Sequence, residues 1–434
     1  MGRLRILFVT AFVDMVGLTM IGPLLPFYAT QFGSKAAVVG VLVAAFSIAQ
    51  LACAPLWGRF SDRYGRRPAI LAGLLITAAA YVLFAMAGSL VALFLSRIVQ
   101  GAGGGTIGVV QAYVADASAP EQRTKSLGWL SAVTSFGAVV GPAFGSLLVA
   151  LGGRRAPGLA AAVFALLVAG FASRYLSESR ELRPSGAYRA VPSRTGRGAV
   201  AYVLARWHEP APRLIWIYAV AIGAFYGTMQ TVPLLLEQRL GITERNIGYF
   251  VMYLGGMGVV VRALVLGRIV DRLGEARLSR VGIVLLSAGL AATGLAHGGL
   301  LFFIGFTLMP LGTAFLFPCV TGLLSRVIPS GERGLYMGVQ HTFGGVSRVA
   351  FPIAAGLAMD HLGMGVPFWV AGLLVLATLP LTGALAGYLG PEPAQAEAAQ
   401  ARQLSAAELT GEFPVEPAPS AIDVHAADAR AAEP

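Results

Sequence analysis

Twelve apolar runs of about 19–26 residues succeed one another along this chain, and no other feature restricts its fold as much. They fall near residues 6–30, 37–57, 69–87, 90–114, 126–150, 158–176, 214–236, 246–266, 279–297, 299–324, 335–358 and 366–389. A helix rising ~1.5 Å per residue needs ~20 residues to cross a ~30 Å hydrocarbon core, so each run reads as one span. The ~10-residue alternating segments of a membrane β-barrel do not occur. Only 12% of the 434 residues are charged, where a soluble domain carries roughly 25%. Lipid must therefore be the solvent for most of the surface.

Between the second and third runs lies Gly58-Arg59-Phe60-Ser61-Asp62-Arg63-Tyr64-Gly65-Arg66-Arg67-Pro68, read as a short basic turn. A weaker copy, Gly267-Arg268-Ile269-Val270-Asp271-Arg272-Leu273-Gly274, follows 209 residues later, and Pro142 and Arg123 map to Pro352 and Arg333 at an offset of 210. The chain is a duplication. The expected fold class is all-α integral membrane: twelve transmembrane helices in two pseudo-symmetric six-helix bundles. The expected division is residues 1–177 and 214–390 for the bundles, 178–213 for a linker and 391–434 for a disordered acidic tail of net charge −6. In the linker Val200, Val203, Leu204 and Trp207 recur at helical spacing beside Arg197, Arg206 and His208, which predicts a short interfacial helix.

The net charge of +11 is a topology signal rather than a nucleic-acid footprint. With the N-terminus inside, fourteen basic residues fall in short inner loops against five outside, so both termini are expected in the cytoplasm. No polar region or cleavage site follows the first run, which reads as a retained anchor helix in the cell (inner) membrane. Cys53 and Cys319 both fall inside spans and read as small buried hydrophobes.

Two charges of opposite sign sit deep in the first half. Asp14 lies about nine residues into the first run, ahead of Gly22-Pro23-Leu24-Leu25-Pro26, whose Gly and Pro can loosen a helix that must flex. Arg97 opens Arg97-Ile98-Val99-Gln100-Gly101 in the fourth run. A bare carboxylate in oil must be paired or protonated. The fifth run holds Gly137-Ala138-Val139-Val140-Gly141-Pro142-Ala143-Phe144-Gly145, whose glycines four apart make a flat stripe for a partner helix and whose proline predicts a kink. In the second half Arg262 lies close enough to its span end to snorkel, whereas Arg348 is near mid-span. The Gly-x-Gly-x-x-Gly string at 103–108 has no βαβ context and reads as close helix packing. Lys35 and Lys125, the only lysines, lie outside any Gly-rich phosphate loop, which argues against ATP hydrolysis by this chain.

These motifs, in this order, make the chain resemble the major facilitator superfamily, in particular its drug:proton antiporters related to tetracycline efflux pumps. Gly58–Pro68 resembles the family's loop 2–3 motif, Arg97-x-x-Gln100-Gly101 its fourth-helix motif, and Gly137, Gly141, Pro142 and Gly145 its antiporter motif. The resemblance implies secondary active, proton-coupled efflux of small amphipathic molecules by alternating access, with no cofactor beyond the proton gradient. It implies proton coupling at Asp14 and Arg97. It also implies a cytoplasmic gate from Gly58, Asp62, Arg63, Gly65, Arg66, Arg67 and Asp116 with the repeat's Asp271, shut in the outward-facing state. By helix number the cavity candidates are Gln100, Tyr226, Gln230 and Arg348, while Tyr113, Met229 and Phe315 are as readily packing. The expected partners are a small-molecule substrate, protons and the bilayer, with a monomer as the working unit.

Plainer alternatives stand beside these. Asp14 and Arg97 could be a static packing pair, and the basic turn could set topology alone. Three embedded arginines against one embedded acid keep an anionic metabolite open as the cargo, imported or exported. The tetracycline pumps carry a histidine in helix eight and an acid in helix nine, and neither 246–266 nor 279–297 supplies one in mid-span, which argues against tetracycline itself. An enzyme is not expected, since His297 at a span end and His341 in a helix have no catalytic or metal-like partners.

Overall fold

The structure, a computed structural model, describes residues 2–104, 106–118, 122–176, 178, 196–329 and 332–383. The acidic tail, most of the linker and the end of the twelfth run lie outside the described residues. Among those described, every regular element is a helix. In the first half α1 (Gly2–Ile21) and α2 (Leu25–Thr30) meet at a tight turn over Gly22–Leu24, where the sequence places its Gly and Pro. Then come α3 (Ala36–Tyr64), α4 (Arg66–Ala85), α5 (Leu90–Gly104), α6 (Ile107–Asp116), α7 (Arg123–Gly152) and α8 (Ala156–Tyr175). After α9 (Gly196–Ala205) the second half runs through α10 (Pro210–Leu240), α11 (Ile247–Leu264), α12 (Leu266–Leu273) and α13 (Glu275–Leu295). It ends with α14 (Gly299–Val327), α15 (Arg333–Leu362) and α16 (Val366–Leu376). Eleven of the described stretches are long and apolar enough to span a bilayer, and Val366–Thr382 is a shorter twelfth. The chain is a multi-pass membrane protein of twelve helical runs.

The expected basic turn is almost entirely helix. α3 continues to Tyr64 and α4 begins at Arg66, leaving Gly65 alone as the joint at φ +106°. A side chain there would be strained, and its Cβ would meet the carboxylate of Glu178. That carboxylate accepts hydrogen bonds from the Arg66 and Arg67 amides at 2.8 and 3.2 Å, capping the N-terminus of α4. The duplication is written into the backbone: the six positive-φ glycines among the described residues fall into the pairs Gly33/Gly241, Gly65/Gly274 and Gly153/Gly363.

Helix ends alternate between two faces. The basic face carries Gly65, Asp116, Arg123, Arg268, Arg272 and Arg326; the far face carries residues 31–35, 153–155, 241–246 and 363–365. Within the halves α1 packs on α7 and α8, α4 on α5 and α8, α10 on α15, and α13 on α14 and α16. Between the halves α3 packs on α15 and α7 on α11. These two contacts are copies of each other. Gly40 of α3 lies against the Pro352 carbonyl of α15, and Gly248 of α11 lies against the Pro142 carbonyl of α7, each too close for a Cβ. Small residues let the backbones approach, so dispersion and carbonyl contacts hold helices that gain little from burying apolar surface in lipid. α7 runs on through Pro142 as one helix.

Polar ties between the halves gather at the far face. Asp360 of α15 accepts from the Ala36 and Ala37 amides at 3.0 and 2.9 Å, capping α3. Ser146 donates to the Glu244 carbonyl at 2.8 Å and accepts from the Gly248 amide at 2.9 Å, and Arg154 pairs with the Glu244 carboxylate at 2.9 Å. In the linker a helix does form, and α9 docks on α10 and α15 with Ala199 and Val203 buried and Leu204 exposed. Just beyond it Tyr202 and Arg206 bond to Glu209 and hold its carboxyl below the usual glutamate range.

Candidate functional site

The glycine stripe of α7 sets the rotation of α1. A Cβ at Gly137 would stand 2.8 Å from the Phe12 carbonyl, Gly141 faces Val16 and Thr19, and Gly145 faces the Met20 carbonyl. With residues 12, 15, 16, 19 and 20 turned toward α7, Asp14 and Gly17 share the face turned to Tyr81 of α4, whose hydroxyl would stand 3.3 Å from a Cβ at Gly17. Asp14 is half-buried and makes no ion pair or hydrogen bond among the described residues. Tyr81 is its electrostatic neighbour, as it is of Arg97, and lies beside the Gln100 amide.

The static Asp14–Arg97 pair considered from sequence is not formed. Arg97 is 5% exposed and its guanidinium lies 4.9 Å above the Phe46 ring. Its Nε and Nη1, the Tyr81 hydroxyl and Gln100 Nε2 are all buried without hydrogen-bond partners. Gln100 thus joins this cluster inside the first bundle. Tyr81 is the member that sequence reasoning missed. The one available signal was a phenol following Ala78-Ala79-Ala80 in a run otherwise short of polar atoms.

A second cluster forms in the other half. The Arg348 guanidinium of α15 lies 5.5 Å above the ring of Tyr226 on α10, and its Nε is buried without a partner. One face of α10 also brings Tyr218, packed against Phe317 at 5.5 Å and His341 at 6.5 Å. Arg262 of α11 is exposed and is an electrostatic neighbour of Tyr226. α11 itself packs on α7 and α14. Gln230 lies one turn past Tyr226 and is half-buried. Tyr113 and Phe315 belong to packed cores, and Met229 is half-buried on α10.

At the basic face Arg66 is the hub rather than Arg63. It pairs with Asp62 at 3.1 Å and Asp116 at 3.3 Å and donates to Ser61 at 2.9 Å, so the two expected acids meet through one guanidinium. Arg63 lies 5.3 Å over the Tyr64 ring, and Arg67 donates to the Ser173 carbonyl. Gly58 has open space where a Cβ would stand, and Asp271 is exposed. The repeat holds a counterpart with the signs reversed: Glu275, in the place of Arg66, pairs at 3.1 Å with Arg326, in the place of Asp116.

The family model described as Major Facilitator Superfamily matches residues 7–306 and 258–422. The chain belongs to the major facilitator superfamily. It is 28% identical over 391 residues to Multidrug resistance protein 2 of Bacillus subtilis (strain 168), covering 87% of this chain and 93% of that protein. It is 27% identical to the class B Tetracycline resistance protein of Escherichia coli, covering 84% and 90%. Among solved structures it resembles the human organic anion transporter MFSD10 (TETRAN) with TM-score 0.64 and 23% identity, covering 88% and 98%. As a superfamily member the chain is a transporter related to multidrug and tetracycline efflux proteins, and such proteins are not enzymes.

Proposed function

We propose that this protein is a proton-coupled antiporter that exports small amphipathic molecules from the cytoplasm by alternating access. The observation that carries the reading is Asp14: a carboxylate at mid-span, half-buried, with no ion-pair partner and a buried phenol beside it. A group so placed can take up and release a proton without first breaking a salt bridge. The unpaired polar atoms of Tyr81, Arg97 and Gln100 around it supply donors for water or a passing proton. The arginine-rich face is read as cytoplasmic from the loop charge bias, with both termini inside the cell membrane and a monomer as the unit. The far-face ties then describe an inward-facing state, with the Arg66 hub as half of a gate that shuts when the halves rock. The relatives' names for multidrug and tetracycline resistance favour export over import.

The test is Asp14→Asn in inverted membrane vesicles, reading uptake of fluorescent amphipathic dyes of either charge driven by an imposed pH gradient. Proton-driven uptake should fall about tenfold or more at unchanged membrane level. Unchanged proton-driven uptake rejects Asp14 as the coupling group.

A further inference from the structure

We infer that the transported molecule carries an organic anion, a planar carboxylate or sulfonate attached to an aromatic or flat apolar body, and that Arg348 with Tyr226 is where the anion docks. The inference rests on reading the chain as a transporter and names the substrate class of its central site.

The Arg348 guanidinium of α15 lies 5.5 Å over the Tyr226 ring, and Arg262 of α11 is an electrostatic neighbour of the same phenol. A guanidinium taken out of water calls for something negative beside it. The spans that carry this site hold no acid. The runs 214–236, 246–266, 299–324 and 335–358 contain no Asp or Glu, and the acids nearest to them in sequence, Glu237, Glu244, Glu332 and Asp360, stand at helix ends. Arg348 Nε is buried without a partner. Such a donor in a packed protein points to a missing acceptor. A guanidinium presents its donors as a planar fork that fits a carboxylate or sulfonate two-pronged. Tyr226 keeps 42% of its surface exposed with Arg348 on its ring, so a flat apolar body has an aromatic surface to lie on. The Tyr218 phenol, an electrostatic neighbour of Arg348, is a further candidate donor. Asp14 stands on α1 in the first half and the docking residues on α10 and α15 in the second, so proton and anion have separate sites.

The experiment measures binding of three isosteric naphthalenes, 2-naphthoate, 2-naphthamide and 2-naphthylmethylammonium, to the full chain in phosphatidylcholine nanodiscs with no proton gradient. The wild type should bind naphthoate about tenfold tighter than either of the others. Arg348→Gln should remove that preference and leave naphthamide within about twofold, with Arg348→Lys intermediate because a point charge replaces the fork. Adding phosphatidylglycerol should weaken naphthoate by no more than about twofold; stronger displacement assigns the site to lipid phosphate and overturns the proposal. Tighter binding of the cation, no naphthoate binding, or a preference that survives in monodisperse Arg348→Gln also overturns it. Because no gradient is used, failure here leaves the Asp14 reading standing, and failure of Asp14→Asn leaves this one.

Discussion

Removing the Asp360 side chain should unlatch the far face. Its two carboxylate oxygens take the first amides of α3, at 3.0 and 2.9 Å, from a helix in the other half. Hydrogen bonds to charged groups contribute about 1.5–3 kcal/mol each, and an acid at a helix N-terminus adds about 0.3–1 kcal/mol. Asp360 is only half-buried, so water can reach the released amides and the pair together is worth about 1.5–2 kcal/mol. The cap exists only while α15 and α3 touch, so its loss falls on the far-face-closed state and not on the open one. The ratio of closed to open molecules should therefore drop about 10–30-fold in Asp360→Ala. Asp360→Asn, which keeps one acceptor oxygen, should show about half the free-energy change. Spin labels at Phe32→Cys and Leu362→Cys, both exposed far-face positions, read the change as a shift from short to long distances. The background would be Cys53→Ser and Cys319→Ala, the two native thiols being free. A ratio that moves less than about twofold in Asp360→Ala refutes the cap as a latch.

The glycine contacts and the reversed ion pair give two further expectations. Gly40→Ala and Gly248→Ala each drive a Cβ into a proline carbonyl that cannot rotate away, so each should cost about 1–3 kcal/mol of far-face closure, with similar label shifts. Different behaviour at the two sites would break the proposed symmetry between them. Glu275→Arg and Arg326→Glu should each lower thermal stability by about 1 kcal/mol, since Arg326 is 48% exposed and water screens the pair. The double variant should recover most of that loss, and strict additivity in the cycle would show that the pair is not coupled.

Much of the architecture was legible because lipid imposes a local rule: each span must be long, apolar and internally hydrogen-bonded. The run lengths, the repeat of Gly58–Gly65 at Gly267–Gly274, and the stripe Gly137, Gly141, Gly145 all follow from neighbours in sequence. The charge of 58–68 reads as a turn, yet the helices run on past the hydrocarbon edge and leave only Gly65 between them. The repeat also hid its best pair, since an alignment of like residues passes over Arg66 against Glu275, where the role is kept and the sign is exchanged. Tyr81 was missed because a lone phenol in an alanine-rich run carries no spacing pattern.

The sequence by itself determined that this chain crosses the membrane twelve times, that its halves are copies, and that a carboxylate is carried into the oil. Those are one-dimensional facts of run length, offset and residue type. Tertiary structure alone decided that Asp14 stands beside Tyr81 instead of pairing with Arg97, that Arg348 lies over the Tyr226 ring, and that Asp360 caps a helix begun more than 300 residues earlier. The reason is geometric. Which side of a helix meets which neighbour depends on rotations set by glycine contacts between distant segments, and a shift of one residue in any of them would bring different side chains together.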